Sequence, residues 1–327
     1  MGALGVSIFF VHTCIVLLLS LERLWANQGR TEFFLSFMIR RIFRIYPLSM
    51  TVVLVVSALR LPLAEIHTGY FSGTPIHLSN FISNLLLVQS DAHGPSILGP
   101  MWSLPYEMGM YLLLPGLFLF LHPTKSLARI FGLWLISISV GLALILFSAH
   151  AEANTFLLYV PCFLPGVMAY QLRRTKRHEF PAFLWPGLVV GLVATTLVLR
   201  SLFKHDLVLS DWAHKWVMCL VLGLAVPFLG QISARWLVKT AHLIAKYSYG
   251  IYLTHYFCIW FVFERLHALL PSMVRLGLFT VLVAGLPVLF YHLLEEPLVL
   301  LGKRLVTRSE RVNAIASSGD VYVQQLE

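Results

Sequence analysis

Charged side chains are scarce in this sequence. They make up 12% of its 327 residues, and only 15 residues are acidic. Hydrophobic residues reach 58%, and the mean hydropathy is +0.79. A soluble domain of this composition would expose a very large apolar surface, which excludes a water-soluble globular protein. We therefore predict an all-α fold, a polytopic transmembrane helix bundle.

Cysteine pairs and metal-ligand spacings are also missing. The four cysteines lie far apart inside apolar runs, without any C-x-x-C pair, and indicate neither a disulfide framework nor a zinc site. The histidines of the predicted loops show no ligand spacing, so we expect no bound metal. The net charge of +9 comes from Lys and Arg clustered between apolar runs, where they set topology and contact anionic headgroups. The expected partner is therefore the lipid bilayer and not nucleic acid.

Nine apolar runs are long enough to cross the roughly 30 Å of a bilayer core. A shorter run, Phe81 to Val88, fits an interfacial or re-entrant segment. Without internal repeats or shifts in composition, residues 1–305 are predicted to form one membrane domain and residues 306–327 a polar cytoplasmic tail. The nine predicted spans are Leu4 to Leu21, Pro47 to Leu63, Leu104 to Leu121, Ile130 to Phe147, Phe156 to Leu172, Ala182 to Leu199, Trp216 to Leu229, Ile244 to Phe263 and Leu276 to Leu294.

The distribution of positive charge predicts the orientation. Most of the 24 Lys and Arg residues fall on one set of alternate loops, which the positive-inside rule assigns to the cytoplasm together with the C-terminus. Nine spans then place Met1 outside, so we expect a further helix upstream. The alternative is that Leu4 to Leu21 inserts by itself with its N-terminus outside, helped by Glu22, Arg23 and Arg30 on its cytoplasmic flank.

Three arginines stand close together in the stretch Arg40-Arg41-Ile42-Phe43-Arg44-Ile45-Tyr46-Pro47. If this stretch begins a helix, Arg40 and Arg44 share a face and reach the same polyanionic ligand. Arginine binds phosphate bidentately and always carries its charge. The pattern predicts a phosphate site at a cytoplasmic helix mouth, although the same arginines satisfy the positive-inside rule with no ligand at all.

Glu107 is the clearest polar residue inside an apolar run. It lies one turn into a predicted span, where a carboxylate can act as an acid, a base or an orienting group. The neighbouring Trp102, Tyr106 and Tyr111 suit an interfacial aromatic belt. For these three aromatic residues a structural and a functional role are both open.

Ser248, Tyr252 and His255 share one face of another predicted helix. An intramembrane histidine is often a hydrogen-bonded structural residue, but this polar stripe makes a chemical role equally reasonable. Glu295-Glu296-Pro297 closes the last run at its cytoplasmic end, and Lys303 and Arg304 follow. A carboxylate here is interpreted as the ion-pair partner of a neighbouring arginine.

Taken in order, these stretches resemble acyltransferase family 3, membrane O-acyltransferases that modify bacterial surface glycans and other extracytoplasmic acceptors. The resemblance covers about residues 2 to 305. It rests on Gly5-Val6-Ser7-Ile8-Phe9-Phe10-Val11, on the arginine stretch, on Trp102-Ser103-Leu104 with Glu107 and Tyr111, on Ser248-Tyr249-Gly250-Ile251-Tyr252-Leu253 with His255, and on Glu295 with Pro297.

The resemblance implies about ten helices in the bacterial cytoplasmic (inner) membrane. It implies transfer of an acetyl or other short acyl group from cytoplasmic acyl-CoA to a hydroxyl of an extracytoplasmic glycan or lipid-linked sugar. Acyl-CoA is then a co-substrate and not a bound cofactor. The implied site residues are Glu107 and His255 for catalysis, Arg40, Arg41, Arg44 and Tyr46 for CoA, and Trp102, Ser103 and Tyr252 for the acceptor.

One element of the family has no counterpart here. Its usual first helix carries an Arg and a His, and that His is regarded as catalytic. This sequence begins at what resembles the family's second helix, and His12 stands where members usually have an aliphatic residue. We therefore expect an N-terminally incomplete acyltransferase, and a truncated, inactive acyltransferase is one alternative. A transporter component for a polysaccharide or lipid-linked sugar is the alternative from another class, although it predicts broken helices or an inverted repeat that the sequence does not display.

Overall fold

The computed structural model describes residues 2–27, 32–59, 61, 77–90, 94–121, 126–147, 155–175, 179–202 and 208–307. These residues are almost entirely helical, which confirms the predicted all-α fold. The ten α-helices are α1 (Gly2–Asn27), α2 (Glu32–Ala58), α3 (Leu78–Leu85), α4 (Leu104–Leu121), α5 (Leu127–Phe147), α6 (Thr155–Thr175), α7 (Trp185–Leu202), α8 (Val208–Ala225), α9 (Arg235–Ile259) and α10 (Ser272–Phe290).

Two helices continue beyond these bounds through a π turn, which has one more residue per hydrogen-bonded ring than an α-turn. α9 runs into the π turn Trp260–Arg265. α10 runs into the π turn Tyr291–Glu295 and then continues as a helix to Thr307.

Each of the nine predicted spans overlaps a helix of its own, and the short run Phe81 to Val88 overlaps the second half of the eight-residue helix α3. Within the described residues, six helices are long and apolar enough to cross a membrane. They correspond to α1, α2, α4, α5, α8 and α10 with its continuation. The chain is therefore a helical membrane protein.

Several predicted span boundaries are wrong. α2 begins at Glu32, well before the arginine stretch, so the arginines lie inside a helix and not at its mouth. α8 and α9 likewise begin earlier than predicted, at Val208 and Arg235. Charged residues do not end these helices, because a helix satisfies its own backbone hydrogen bonds and long side chains carry their charge away from the axis. The tail from residue 308 lies outside the described residues. So do residues 64–76 and 91–93 of the loop Ala64 to Ser103, which is predicted to help select the acceptor.

The described chain forms two compact units. The first unit comprises Met1–Glu22 and Ser103–Thr240, and the second comprises Arg23–Trp102 and Ala241–Glu327. The predicted boundary between a membrane domain and a tail at residue 305 stays a prediction.

In the first unit, α6 packs against α4, α5 and α8. Small residues allow these close approaches. A Cβ at Gly166 of α6 would overlap the carbonyl oxygen of Val11 on α1, and a Cβ at Gly223 of α8 would overlap that of Pro165 on α6. The backbones of α1, α6 and α8 therefore meet where only glycine fits.

Proline also shapes α6. Pro165 lacks an N–H, so the carbonyl of Pro161, one turn earlier, loses its usual helical donor. The indole Nε1 of Trp134 on α5 donates to that carbonyl at 3.0 Å. A proline that would leave a buried acceptor unsatisfied is thus accommodated by a neighbouring helix.

In the second unit, hydroxyl groups join the helices to one another. The Tyr249 hydroxyl on α9 donates to the carbonyl of Ile45 on α2 at 2.7 Å, and the Tyr46 hydroxyl on α2 donates to the carbonyl of Leu86 after α3 at 2.9 Å. α9 and α10 also approach closely, because a Cβ at Gly250 would lie 3.0 Å from Cα of Pro287. These contacts fix α2 against α9 beside the arginine stretch.

The segment before α4 is held by a fully buried amide. The Asn84 side chain of α3 donates to the carbonyl of Pro95 at 3.0 Å and accepts from the backbone N–H of Ile97 at 2.9 Å. The Gln89 side chain donates to the carbonyl of Met101 at 2.9 Å. The described end of the predicted acceptor loop is therefore an ordered part of the second unit.

Candidate functional site

The arginine stretch lies within α2, and Arg40, Arg41 and Arg44 are all half-buried. Their helical spacing places Arg40 and Arg44 on one face, as the sequence predicts. The Arg41 guanidinium lies 5.5 Å from the centre of the Phe37 ring. The buried Nε of Arg40 has no hydrogen-bond partner among the described residues. Arg40 therefore retains donors for a ligand.

Arg44 faces a buried carboxylate. Its Nη1 atom lies 3.4 Å from Oε2 of Glu295, and the exposed fraction of the side chains is 29% for Arg44 and 0% for Glu295. This ion pair is the role that the sequence predicts for Glu295. Since a guanidinium has five N–H groups, the single contact leaves most of the Arg44 donors for other acceptors.

The course of α10 brings Glu295 to Arg44. Glu295 is the last residue of the π turn Tyr291–Glu295, and the extra residue of such a turn rotates the following helix by about 100°. Two turns further on, Gly302 meets α2, since a Cβ there would lie 2.8 Å from Cβ of Phe43. α10 therefore packs tightly on α2 next to Arg44.

Tyr46 is predicted to bind CoA, but its hydroxyl donates to the carbonyl of Leu86. Tyr249, which carries no predicted role, holds the backbone at Ile45 through its own hydroxyl. Both phenols connect α2 to neighbouring elements, so contact of Tyr46 with a ligand stays a prediction.

Tyr252 and His255 are neighbours on α9, with ring centroids 6.0 Å apart. The Tyr252 hydroxyl donates to the carbonyl of Pro100 at 2.7 Å. His255 Nδ1 lies 2.7 Å from the carbonyl oxygen of Tyr252 and 3.1 Å from that of Ile251. Because a carbonyl only accepts, Nδ1 carries the proton, and Nε2 is the basic nitrogen of the neutral ring.

Glu107 lies in the first turn of α4, in the first unit, and is buried. The hydroxyl of Tyr111, one turn later, donates to its Oε1 atom. Ser103 is buried in the 3-10 turn Gly99–Ser103 that leads into α4, whereas Trp102 in the same turn is half-buried. Among the predicted site residues, Glu107 and Ser103 belong to the first unit and the others to the second.

The structure also contains polar groupings that the sequence reasoning missed. Nδ1 of His292 lies 2.7 Å from Oε2 of Glu296, and Nε2 of His292 lies 3.2 Å from the Tyr247 hydroxyl. In α8 the buried Lys215 pairs with Asp211 at 2.7 Å. Both charged pairs have i, i+4 spacing, a signal that was available in the sequence. From the sequence, Lys215 is expected in an external loop just before the predicted span Trp216 to Leu229, whereas it lies within α8.

The comparison with known families decides the classification. The model of the family described as an acyltransferase domain, acyltransferase family 3, matches residues 1–292. The chain belongs to acyltransferase family 3. No curated protein and no solved structure gives a significant match.

Membership of acyltransferase family 3 makes the protein a membrane acyltransferase and confirms the resemblance found in the sequence. The matched range contains all ten α-helices, and with them all nine predicted site residues. Two arrangements suit acyl transfer. In the second unit, half-buried guanidinium groups line α2, and a histidine with a basic Nε2 stands on α9. In the first unit, a buried carboxylate is bound by a tyrosine.

Proposed function

We propose that the protein is an O-acyltransferase that moves an acetyl or other short acyl group from cytoplasmic acyl-CoA to a hydroxyl group of an extracytoplasmic glycan or lipid-linked sugar. The family supports acyl transfer in general, whereas the donor and the acceptor are our proposal. One observation supports an acyl-CoA donor above others: three half-buried arginines lie close together inside α2.

These arginines exceed what a topology signal requires. Charges that set topology work equally well in the loops flanking a span. All three arginines are half-buried, and Arg44 pairs with the buried Glu295, so these side chains pack against the protein and not only against lipid headgroups. CoA carries a diphosphate and a 3′-phosphate, and clusters of arginine bind such groups through charge-assisted hydrogen bonds. Arg40, Arg41 and Arg44 are therefore the proposed phosphate ligands, with Tyr46 beside them.

The reaction needs one base. The acceptor hydroxyl oxygen attacks the thioester carbonyl carbon, the new C–O bond forms as the C–S bond breaks, and the hydroxyl proton ends on the CoA sulfur. His255 suits the transfer of this proton, because its Nδ1–H is bound to the backbone and its Nε2 is basic. Glu107 is proposed to orient the acceptor hydroxyl. Ser103 of the first unit, and Trp102 and Tyr252 of the second, stay predicted acceptor ligands.

The proposed setting is the bacterial inner membrane with a cytoplasmic C-terminus. It is supported by the six apolar helices and by the concentration of Lys and Arg on one set of loops. Acyl-CoA would approach α2 from the cytoplasm. The acceptor would approach Glu107 from the other side.

Inner-membrane vesicles from cells that produce the full chain test this function, because they retain the natural acceptors. With radiolabelled acetyl-CoA, we expect release of CoA thiol and matching incorporation of label into glycan or lipid. Vesicles that contain the double variant Arg40→Ala, Arg41→Ala should release CoA thiol and incorporate label only at much higher acetyl-CoA concentrations. A transporter would consume no thioester, so the absence of CoA release would overturn the proposal.

A further inference from the structure

Glu295, in the second unit, has a fully buried side chain. Its Oε2 atom lies 3.4 Å from Nη1 of Arg44, with which it forms an ion pair. Neither of its carboxylate oxygens accepts a hydrogen bond from the described residues. A carboxylate removed from water in a membrane helix is costly unless it is paired, and such residues usually have a function. The neighbouring Glu296 is largely exposed and pairs with His292 instead.

We infer that Glu295 is the positioning residue of the donor site, and that it holds Arg44 so that the remaining N–H groups of the guanidinium meet an anionic group of acyl-CoA. This inference rests on the proposed function. It assigns to Glu295 no contact with the ligand. The carboxylate acts through Arg44, whose side chain is partly exposed.

Two outcomes of ligand binding can be compared. If the phosphate pulled Arg44 away, the buried Glu295 would be left as an uncompensated charge, which costs more than one charge-assisted hydrogen bond returns. If Arg44 keeps its ion pair with Glu295, the phosphate binds other N–H groups of the guanidinium and Glu295 keeps its countercharge. The intact pair is therefore the favourable arrangement of the bound state.

The surrounding backbone supports a fixed position for Arg44. The Tyr249 hydroxyl holds the carbonyl of Ile45, the residue after Arg44, at 2.7 Å. On the α10 side, Gly302 packs on Phe43, the residue before Arg44. The π turn at Tyr291–Glu295 sets the rotation of α10 at the same place. Local contacts thus fix the Arg44 backbone, and Glu295 fixes its side chain.

The test measures CoA affinity of the full chain in detergent for the variants Glu295→Gln, Arg44→Ala and their combination. Glu296→Gln is the matched control, since it changes the adjacent carboxylate by the same substitution. We expect Glu295→Gln to weaken CoA binding roughly tenfold, Glu296→Gln to leave it unchanged, and the combined variant to bind no more weakly than Arg44→Ala alone. Such non-additivity shows that Glu295 acts through Arg44 and would not follow from a general loss of structure.

The contrary outcomes are distinct. If Arg44→Ala weakens CoA binding and Glu295→Gln does not, or if the two effects add, the positioning role is overturned and the donor site stands. If Arg40→Ala, Arg41→Ala and Arg44→Ala all leave CoA affinity unchanged, the proposed donor site itself fails, and the inference with it. Should Glu295→Gln not fold, Glu295→Asp retains the charge at a shorter reach: weaker CoA binding than the native chain supports the inference, and unchanged binding overturns it.

Discussion

Nη1 of Arg44 on α2 lies 3.4 Å from Oε2 of Glu295, at the end of the π turn that interrupts the last helix. The two residues are about 250 positions apart in the sequence, so their contact depends on how α2 and α10 pack. Because the carboxylate is fully buried and the guanidinium is not, the pair has an inner, structural side and an outer side with unused donors. That asymmetry leads to the first two predictions.

Replacing Arg44 by alanine is expected to destabilise the protein. The buried Glu295 would lose its countercharge, which costs about 3 kcal/mol, the lower end of the range for buried pairs because Arg44 is partly exposed. Thermal unfolding of the purified chain in detergent measures the effect. The combined change Arg44→Met with Glu295→Leu should restore most of the stability, because it removes both charges together. A double variant as unstable as Arg44→Ala would contradict this account.

Replacing Arg40 by alanine is expected to weaken acyl-CoA binding without destabilising the fold. The loss of one charge-assisted hydrogen bond corresponds to about 1.5 to 3 kcal/mol, or roughly ten- to hundredfold in affinity. Equilibrium binding of acetyl-CoA to the detergent-solubilised chain measures this loss of affinity. Arg304→Ala, which removes an exposed arginine near the end of the last helix, is the matched control and should bind normally. Equal affinities for both variants would exclude Arg40 from the donor site.

His255→Asn is expected to reduce acyl transfer while CoA binding persists. An asparagine amide can still donate to the backbone carbonyl that Nδ1 now contacts, but it offers no basic nitrogen in place of Nε2. Loss of a general base lowers kcat by about 10²- to 10⁴-fold. Single-turnover release of CoA in vesicles measures this step. His242→Asn, at an exposed position earlier on α9, is the control and should react at the native rate.

Trp134→Phe is expected to destabilise the first unit by about 1 to 3 kcal/mol, because the buried Pro161 carbonyl loses its indole donor and the proline at 165 cannot replace it. Unfolding temperatures in detergent report the change. Trp236→Phe, at an exposed position on α9, provides the comparison and should have little effect. A similar drop in both variants would point to lost aromatic area and not to the hydrogen bond.

Composition and residue order were enough to predict several features. The apolar runs predicted the helices and the membrane class, and the motifs along the chain predicted the family that the match over residues 1–292 confirms. The interpretation of Glu295 as an arginine partner was also correct. Helix ends were predicted poorly, because the arginine stretch looked like a boundary and lies inside α2. In the same way Lys215 looked like a loop residue and is buried beside Asp211 in α8.

The sequence by itself determined that this chain is helical, membrane-embedded and an acyltransferase of family 3, because hydropathy and motif order are local properties that survive without coordinates. Only the tertiary structure decided which arginine meets Glu295, which nitrogen of His255 is basic, and which carbonyl the Trp134 indole caps. Each of these depends on atoms brought together by helix packing or by the path of the backbone. The arginine stretch shows the difference most clearly: its charge is evident from the sequence, whereas its division into an anchored Arg44 and a more available Arg40 arises from the contact between α2 and α10.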